Sequence, residues 1–183
     1  IFTSDNGGHG KWTSNYPFKG NKGNLYEGGI RVPLIVKWSN KIKSSLILED
    51  IVIGNDFYPT ILEMAELTLI PKQHIDGVSL WPLLKSRKKI KRNKLFWHFP
   101  NYIGAGHPGR AKPSSVIRKG KWKLIENLEN GEVELFDLKN DVSEKTDLSN
   151  KLKKKVLELK NELNNWRISV NAQMPMVNDN YIK

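Results

Sequence analysis

The chain has 183 residues, a formal net charge of +11 and no cysteine, and 38% of its residues are hydrophobic. Without cysteine there is no disulfide framework and no thiolate metal site, and no apolar stretch is long enough to cross a bilayer. The positive excess favours an anionic partner, but none of the sequence signatures of nucleic-acid-binding domains accompanies it.

The first part of the chain predicts short strands, a long glycine-rich loop and one helix. Residues 1–3 are typical of the end of a buried strand, and we expect most of the protein to precede them. Residues 4–29 are rich in Gly and Asn and predict a loop, of a length that is usually functional or disordered. A compact apolar strand is predicted at 32–38, and a helix is predicted after the N-cap candidates Asn55 and Asp56.

A basic stretch follows a predicted short turn around Pro82. Residues 85–94 hold seven positive charges in ten positions and no acidic residue. Such a run is usually a solvated loop, and the alternative is a patch that contacts a polyanion.

From residue 95 the pattern changes to short alternating runs, which predict a small antiparallel sheet of three or four strands. Gly120 and the pair Asn130-Gly131 mark tight turns between those runs. A helix is predicted from about 149 to 169, and we expect its apolar stripe to lie on the small sheet or on the rest of the protein. The stripe consists of Leu152, Val156, Leu159, Leu163, Trp166 and Val170.

Asp5 and Asn6 offer a carboxylate and an amide oxygen just after the first predicted strand. Hard oxygen ligands of this kind suit Ca²⁺ or Mg²⁺ better than zinc. At the carboxyl end of a strand in an open α/β sheet, they would project into the crevice where such sheets bind ligands. The alternative is a plain turn, because Asp-Asn-Gly-Gly is favourable turn chemistry.

Lys22 lies in the glycine-rich loop and is a compact point charge that suits a tetrahedral oxyanion. Gly20 and Gly23 would let the backbone approach such a ligand closely. A solvated loop lysine is the plainer alternative. Glu27 and Arg31 flank two glycines, and we expect them to form an ion pair that holds the loop on the following strand rather than to act in catalysis.

Two histidines are further candidates for substrate contact. His9 would touch the substrate or its leaving group, although a lone loop histidine is more often incidental. His98, on an aromatic strand, is either a substrate contact or a histidine satisfied within the core. His74 and His107 show no pattern of partners.

An ordered set of motifs covers nearly the whole chain. The motifs are residues 2–8 (FTSDNGG), 20–33 (GNKGNLYEGGIRVP), 56–62 (DFYPTIL), 75–80 (IDGVSL), 115–125 (SVIRKGKWKLI) and 134–138 (ELFDL). Together they resemble the C-terminal part of the type I sulfatases, in the alkaline-phosphatase-like superfamily. The resemblance implies an α/β fold, with the C-terminal part of an α/β sandwich at 1–94 and a small antiparallel sheet packed with a C-terminal helix at 95–183.

The resemblance also implies the chemistry of the site. It makes Asp5 and Asn6 ligands of Ca²⁺, with Mg²⁺ less favoured, and it makes Lys22 a contact of the sulfate group. It further implies a sulfated small molecule or polysaccharide as substrate, no nucleic-acid or membrane partner, and a periplasmic or secreted location.

The chain departs from the family in one respect. The family nucleophile is a formylglycine made from the Cys or Ser of a Cys/Ser-x-Pro-x-Arg motif, and no such motif is present. Residues 106–110 (GHPGR) have the nearest spacing, with glycine in place of the nucleophile, and we interpret this as coincidence. We therefore expect the formylglycine in an N-terminal half outside this chain, and no turnover by this chain alone.

Two rival functions remain. One is a phosphoester or phosphonate hydrolase of the same superfamily, whose metal sites often place histidine beside the aspartate; Asn6 after Asp5 favours the sulfatase. The other is a non-catalytic module that binds polyanions through residues 85–94.

Overall fold

The computed structural model of the protein describes residues 1–103 and 112–176. Within these ranges the helices and strands follow one another in a mixed α/β order. They are β1 (Phe2–Thr3), α1 (Glu27–Ile30), β2 (Leu34–Ile35), α2 (Phe57–Met64), α3 (Trp81–Ser86), β3 (Lys94–Phe99), β4 (Ser114–Lys119), β5 (Trp122–Asn127), β6 (Val133–Asp137) and α4 (Lys153–Ser169). No helix of the described residues has the length and apolar character that a membrane span requires.

The chain divides into two compact units. The first unit contains residues 1–5 and 33–93, and the second contains residues 6–32 together with the chain from residue 94 onward. From residue 6 onward, the glycine-rich loop therefore belongs to the same unit as the small sheet. Its last residues, predicted as loop, form the start of α1. The division into domains at residues 94 and 95 stays a prediction.

In the first unit, β1 pairs antiparallel with β2, so that Phe2 lies opposite Ile35 and Thr3 opposite Leu34. The strand predicted at 32–38 is thus shortened to Leu34–Ile35, because a two-residue partner offers hydrogen bonds to only two residues. The helix predicted after Asn55 and Asp56 is confirmed as α2, which follows a 3₁₀ turn at Gly54–Asp56.

Asp56 is the central polar residue of the first unit and is 0% exposed. Its carboxylate accepts hydrogen bonds from the backbone N–H of Ile53 at 2.9 Å and of Val78 at 3.0 Å. Both terminal nitrogens of Arg92 also donate to it, at 2.8 and 2.7 Å. One carboxylate therefore joins the turn before α2, the segment before α3 and the end of the basic stretch.

In the second unit, β3, β4, β5 and β6 form an antiparallel sheet in that order, which confirms the small sheet predicted from residue 95. Each predicted turn is present, with Gly120 and Gly131 at positive φ. The predicted C-terminal helix is confirmed as Lys153–Ser169.

The small sheet is covered on both faces. Ile117, Leu124 and Leu135 point to one face and pack against Leu159 and Leu163 of α4. The alternate residues of the same strands point to the other face and pack against the glycine-rich loop; these contacts join Val116, Ile125 and Phe136 to Leu25 and Tyr26. Period-two alternation explains both faces, since successive strand residues point to opposite sides.

Candidate functional site

Residues 6–32, which contain the glycine-rich loop from residue 6 onward and α1, are folded back on themselves by three backbone hydrogen bonds. Gly7 N–H donates to the Gly29 carbonyl at 2.8 Å, and Gly28 N–H donates to the Lys19 carbonyl at 2.7 Å. Lys22 N–H donates to the Gly8 carbonyl at 3.0 Å. The segment that begins at Asn6, the lysine loop and α1 are therefore held together.

The glycines of this loop allow an approach that no side chain would permit. A Cβ placed on Gly7 would lie 1.8 Å from the Gly28 carbonyl oxygen, and one on Gly29 would lie 2.0 Å from the Asn24 carbonyl oxygen. Both distances are far below van der Waals contact. The sequence explains this packing, because only residues without a Cβ bring two backbones so close.

Asn15 closes a side loop within the same segment. Its Oδ1 accepts from Gly8 N–H at 2.8 Å, and its Nδ2 donates to the Gly8 carbonyl at 2.8 Å. The Gly8 carbonyl thus accepts from both Asn15 Nδ2 and Lys22 N–H. A polar loop residue of this kind gives no sequence signal, because its role depends on where the chain returns.

The predicted metal ligands and the predicted sulfate contact lie as follows. Asp5 is exposed and follows β1 in the first unit, whereas Asn6 is partly buried and opens the loop of the second unit. Lys22 is exposed, and its backbone N–H donates a hydrogen bond to the carbonyl of Gly8, two residues after Asn6. The roles of these three side chains stay predictions.

The donor set fits part of a Ca²⁺ coordination sphere, since a carboxylate and an amide oxygen are both hard ligands. Within residues 1–103 and 112–176, no group of three or more His, Cys, Asp or Glu side chains is placed to hold a metal. Coordination of a metal by Asp5 and Asn6 stays a prediction.

The two candidate histidines occupy different places. His9 follows Gly8, its Nδ1 accepts from Lys11 N–H at 3.3 Å, and its carbonyl accepts from the N–H groups of Trp12 and Thr13. It is part of the loop that carries Lys22, and a role in substrate binding stays a prediction.

His98 lies on β3, on the face of the sheet that α4 covers. Its Nδ1 is 2.6 Å from Ser115 Oγ, and its Nε2 is 2.6 Å from the Gln173 carbonyl oxygen. Both ring nitrogens therefore have partners within the protein, on the face opposite the glycine-rich loop. These contacts favour the alternative that the sequence left open, a satisfied internal histidine; the substrate contact stays a prediction.

The ion pair expected between Glu27 and Arg31 is present, with 3.6 Å between Glu27 Oε2 and Arg31 Nη1. It belongs to a larger buried group that sequence reasoning missed. Lys123 Nζ lies 2.9 Å from Glu27 Oε1 and 2.9 Å from Glu144 Oε1. Burial raises the pKa of the Glu144 carboxyl above its ordinary value, although the Lys123 ammonium group opposes that shift.

A second attachment joins the loop to β6. The Tyr26 hydroxyl donates to Glu134, and Lys19 Nζ lies 3.3 Å from Glu134 Oε1. The pKa of Tyr26 is raised above its ordinary value, chiefly by burial of the hydroxyl and secondly by this hydrogen bond.

Within the basic stretch, the two cations at its end serve internal contacts. Arg92 is bound to Asp56, and Lys94 pairs with Glu162 at 3.2 Å. Lys88, Lys89 and Lys91 are exposed and have no carboxylate partner among the residues that the structure describes. The GHPGR segment at 106–110, with His107, lies outside the described residues.

Comparisons with known proteins identify the family of the chain. Residues 19–169 match the family described as N-sulphoglucosamine sulphohydrolase, C-terminal. A sulfatase of Formosa agariphila is 38% identical over an alignment that covers 94% of this chain and 33% of that protein. The chain thus spans about a third of the length of this relative.

Two solved structures share the fold along most of the chain. Ps i-CgsB in complex with k-i-k-neocarrahexaose has a TM-score of 0.70 and 28% identity, over 90% of this chain and 35% of that one. BT4656 in complex with its substrate D-glucosamine-2-N,6-O-disulfate has a TM-score of 0.67 and 27% identity, over 82% of this chain and 31% of that one. This chain therefore belongs to the sulfatase family, in the alkaline-phosphatase-like superfamily, and represents the C-terminal portion of such a protein.

Proposed function

We propose that the full-length protein to which this chain belongs hydrolyses sulfate esters, and that the glycine-rich loop contributes to the site that binds the sulfate. The observation that carries the proposal is the hydrogen bond from Lys22 N–H to the Gly8 carbonyl, at 3.0 Å. It ties the exposed lysine to the segment that begins with Asn6. Family membership supports the same reading, because the matched residues include Lys22.

In this proposal, the chain supplies three groups. The Lys22 ammonium group binds the non-bridging oxygens of the sulfate and offsets the charge that develops on them, which is the preorganised electrostatic contribution that is usually largest in catalysis. Asp5 and Asn6 supply oxygen ligands for Ca²⁺. When bound, that ion acts as a Lewis acid and orients the sulfate. The formylglycine nucleophile is expected elsewhere in the protein.

We propose a sulfated saccharide as substrate. Support comes from the two similar structures described above, one with a neocarrahexaose and one with a disulfated glucosamine. The positive charge of the chain, +11, suits a polyanionic substrate of this kind. We also propose a periplasmic or secreted location, which cell fractionation checks.

The direct test is the activity of the full-length protein on an aryl sulfate. We expect Lys22→Met to lower kcat/KM by about 100-fold, on the order of the loss seen when one oxyanion-binding donor is removed. Lys11→Met is the matched control, because Lys11 is another exposed lysine of the same loop, and we expect it to retain activity. Equal activity of the two variants would remove Lys22 from the mechanism.

The same assay separates the rivals. A phosphonate monoester or phosphodiester hydrolysed faster than the aryl sulfate would favour the phosphoester reading. Absence of hydrolysis, together with polysaccharide binding that is lost when Lys88, Lys89 and Lys91 are neutralised, would favour a binding module.

A further inference from the structure

Lys123 is the second residue of β5 and has no exposed surface. Its relative exposure is 0%, and its strand neighbours are Trp122 and Leu124. A buried ammonium group is costly unless it is paired. Here it lies 2.9 Å from one oxygen of each of two glutamates, Glu27 and Glu144, which are themselves 1% exposed.

Lys123 and Glu144 together hold Glu27, the first residue of α1, by its side chain and by its backbone. Glu27 Oε1 accepts from Lys123 Nζ at 2.9 Å, while Glu27 N–H donates to Glu144 Oε2 at 2.7 Å. Arg31 and Arg118 lie on the other carboxylate oxygen of Glu27, at 3.6 and 3.8 Å. Glu27 is thus fixed from the strand, from the segment around Glu144 and from its own helix.

From Glu27, short contacts lead to Lys22. Gly28 N–H donates to Lys19 at 2.7 Å, and the Gly29 carbonyl accepts from Gly7 at 2.8 Å. Lys22 then bonds to Gly8, the next residue after Gly7. Displacement of α1 would therefore displace both the segment that begins at Asn6 and the lysine loop.

Burial of three charged groups is a poor way to gain stability, because their desolvation offsets much of their attraction, and apolar residues of similar size often serve as well. Their advantage is direction, since charge-assisted hydrogen bonds require particular distances and angles. The Tyr26–Glu134 and Leu25 contacts already hold the loop on the sheet. The buried charges therefore fix α1 in one position on the sheet, rather than simply adding to the stability of the contact.

We propose that Lys123 is a positioning residue that fixes the Lys22 loop through Glu27. The part of this inference that concerns catalysis rests on the proposed function of Lys22. The part that concerns the loop stands on the geometry alone, and the experiment is designed to read the two separately.

The test compares Lys123→Met with Lys119→Met in the full-length protein. Lys119 is the matched control, because it also pairs with two glutamates, Glu158 and Glu162, but on the face of the sheet that α4 covers. Hydrogen–deuterium exchange is measured on peptides covering 6–32 and 153–169, and kcat and KM are measured with an aryl sulfate.

We expect Lys123→Met to speed exchange in residues 6–32 by at least about tenfold while residues 153–169 keep the wild-type rate. We expect kcat to fall by about 10- to 100-fold, since displacement of a catalytic contact by 1 Å costs up to about 100-fold. Lys119→Met should leave both the 6–32 exchange and kcat unchanged.

Three outcomes would overturn the inference. One is wild-type exchange in residues 6–32 of Lys123→Met. Another is equal acceleration in both peptides, which would make Lys123 a general stability residue. The third is faster exchange in residues 6–32 with wild-type kcat in an active protein, which would separate the loop from catalysis.

A second variant keeps the test decisive if Lys123→Met does not fold. Glu27→Gln retains the size of the side chain and an oxygen for Lys123, and it removes one charge; we expect the same pattern at smaller size, and wild-type exchange in this variant would refute the inference. If the wild-type protein lacks sulfatase activity, the proposed function fails, while the exchange data still decide whether Lys123 positions the loop.

Discussion

Removal of Arg92 offers a sharp test of how the first unit is held together. Asp56 is 0% exposed and accepts four hydrogen bonds, two from backbone N–H groups and two from Arg92. Arg92→Met would leave a buried carboxylate with its two backbone donors only. We therefore expect the segments that Asp56 joins to open more readily.

The magnitude follows from the geometry of the pair. Breaking a buried ion pair by removing one partner costs about 3–5 kcal/mol. We expect the lower end, about 3 kcal/mol, because Asp56 keeps two donors and because the Arg92 side chain is 12% exposed. That free energy corresponds to local opening that is on the order of 100-fold more frequent.

Hydrogen–deuterium exchange on peptides covering 51–56 and 75–80 measures this opening in the full-length protein. The control is Lys91→Met, since Lys91 is exposed and has no carboxylate partner within the described residues; surface changes of this kind are worth about 0.5 kcal/mol or less. Exchange in Arg92→Met that matches the control would refute the idea that this ion pair holds the unit.

Other expectations concern the glycine-rich loop. Gly7→Ala should lower kcat/KM of the full-length protein by about 100-fold, because the new Cβ would lie 1.8 Å from the Gly28 carbonyl oxygen. Gly54→Ala is the control and should keep wild-type kinetics, because a Cβ on Gly54 would have no atom within 4 Å. Equal kinetics of the two variants would contradict the packing argument. Chelation should abolish activity and Ca²⁺ should restore it, whereas full activity without divalent ions would argue against Asp5 as a ligand. Because the pKa of Tyr26 is raised in the fold, the stability that its protonated hydroxyl contributes is complete below about pH 10, the ordinary pKa of tyrosine, and declines at higher pH. Alkaline titration followed by circular dichroism should show a shallower loss of stability above pH 10 in Tyr26→Phe, and identical slopes would count against the assignment.

The sequence was sufficient for the small sheet and its helix, because both depend on local periodicity. Alternating runs separated by Gly120 and Gly131 define the strands, and the stripe through Leu159 and Leu163 defines the buried side of α4. The strand near Val32 was predicted too long, because apolar content sets strand propensity, whereas the length depends on the partner strand.

Lys123 could not have been identified from the sequence. A lysine in a strand normally marks the solvent face. Lys123 can be buried because it pairs with Glu27, 96 positions before it, and with Glu144, 21 positions after it. Glu27 and Arg31 were recognisable as a pair because they flank two glycines and lie only four positions apart. Local spacing predicts contacts of that kind, and the return of a distant segment is not encoded in any local pattern.

The double hydrogen bond between Asn15 and Gly8 closes the base of a short excursion, residues 9–14. Its residues 10–14 are exposed. Since the base is closed, residues 10–14 should tolerate insertions and exchanged side chains at modest entropic cost, while the backbone around Lys22 keeps its shape. This short span is therefore a convenient place to graft new recognition elements without disturbing the backbone that carries Lys22.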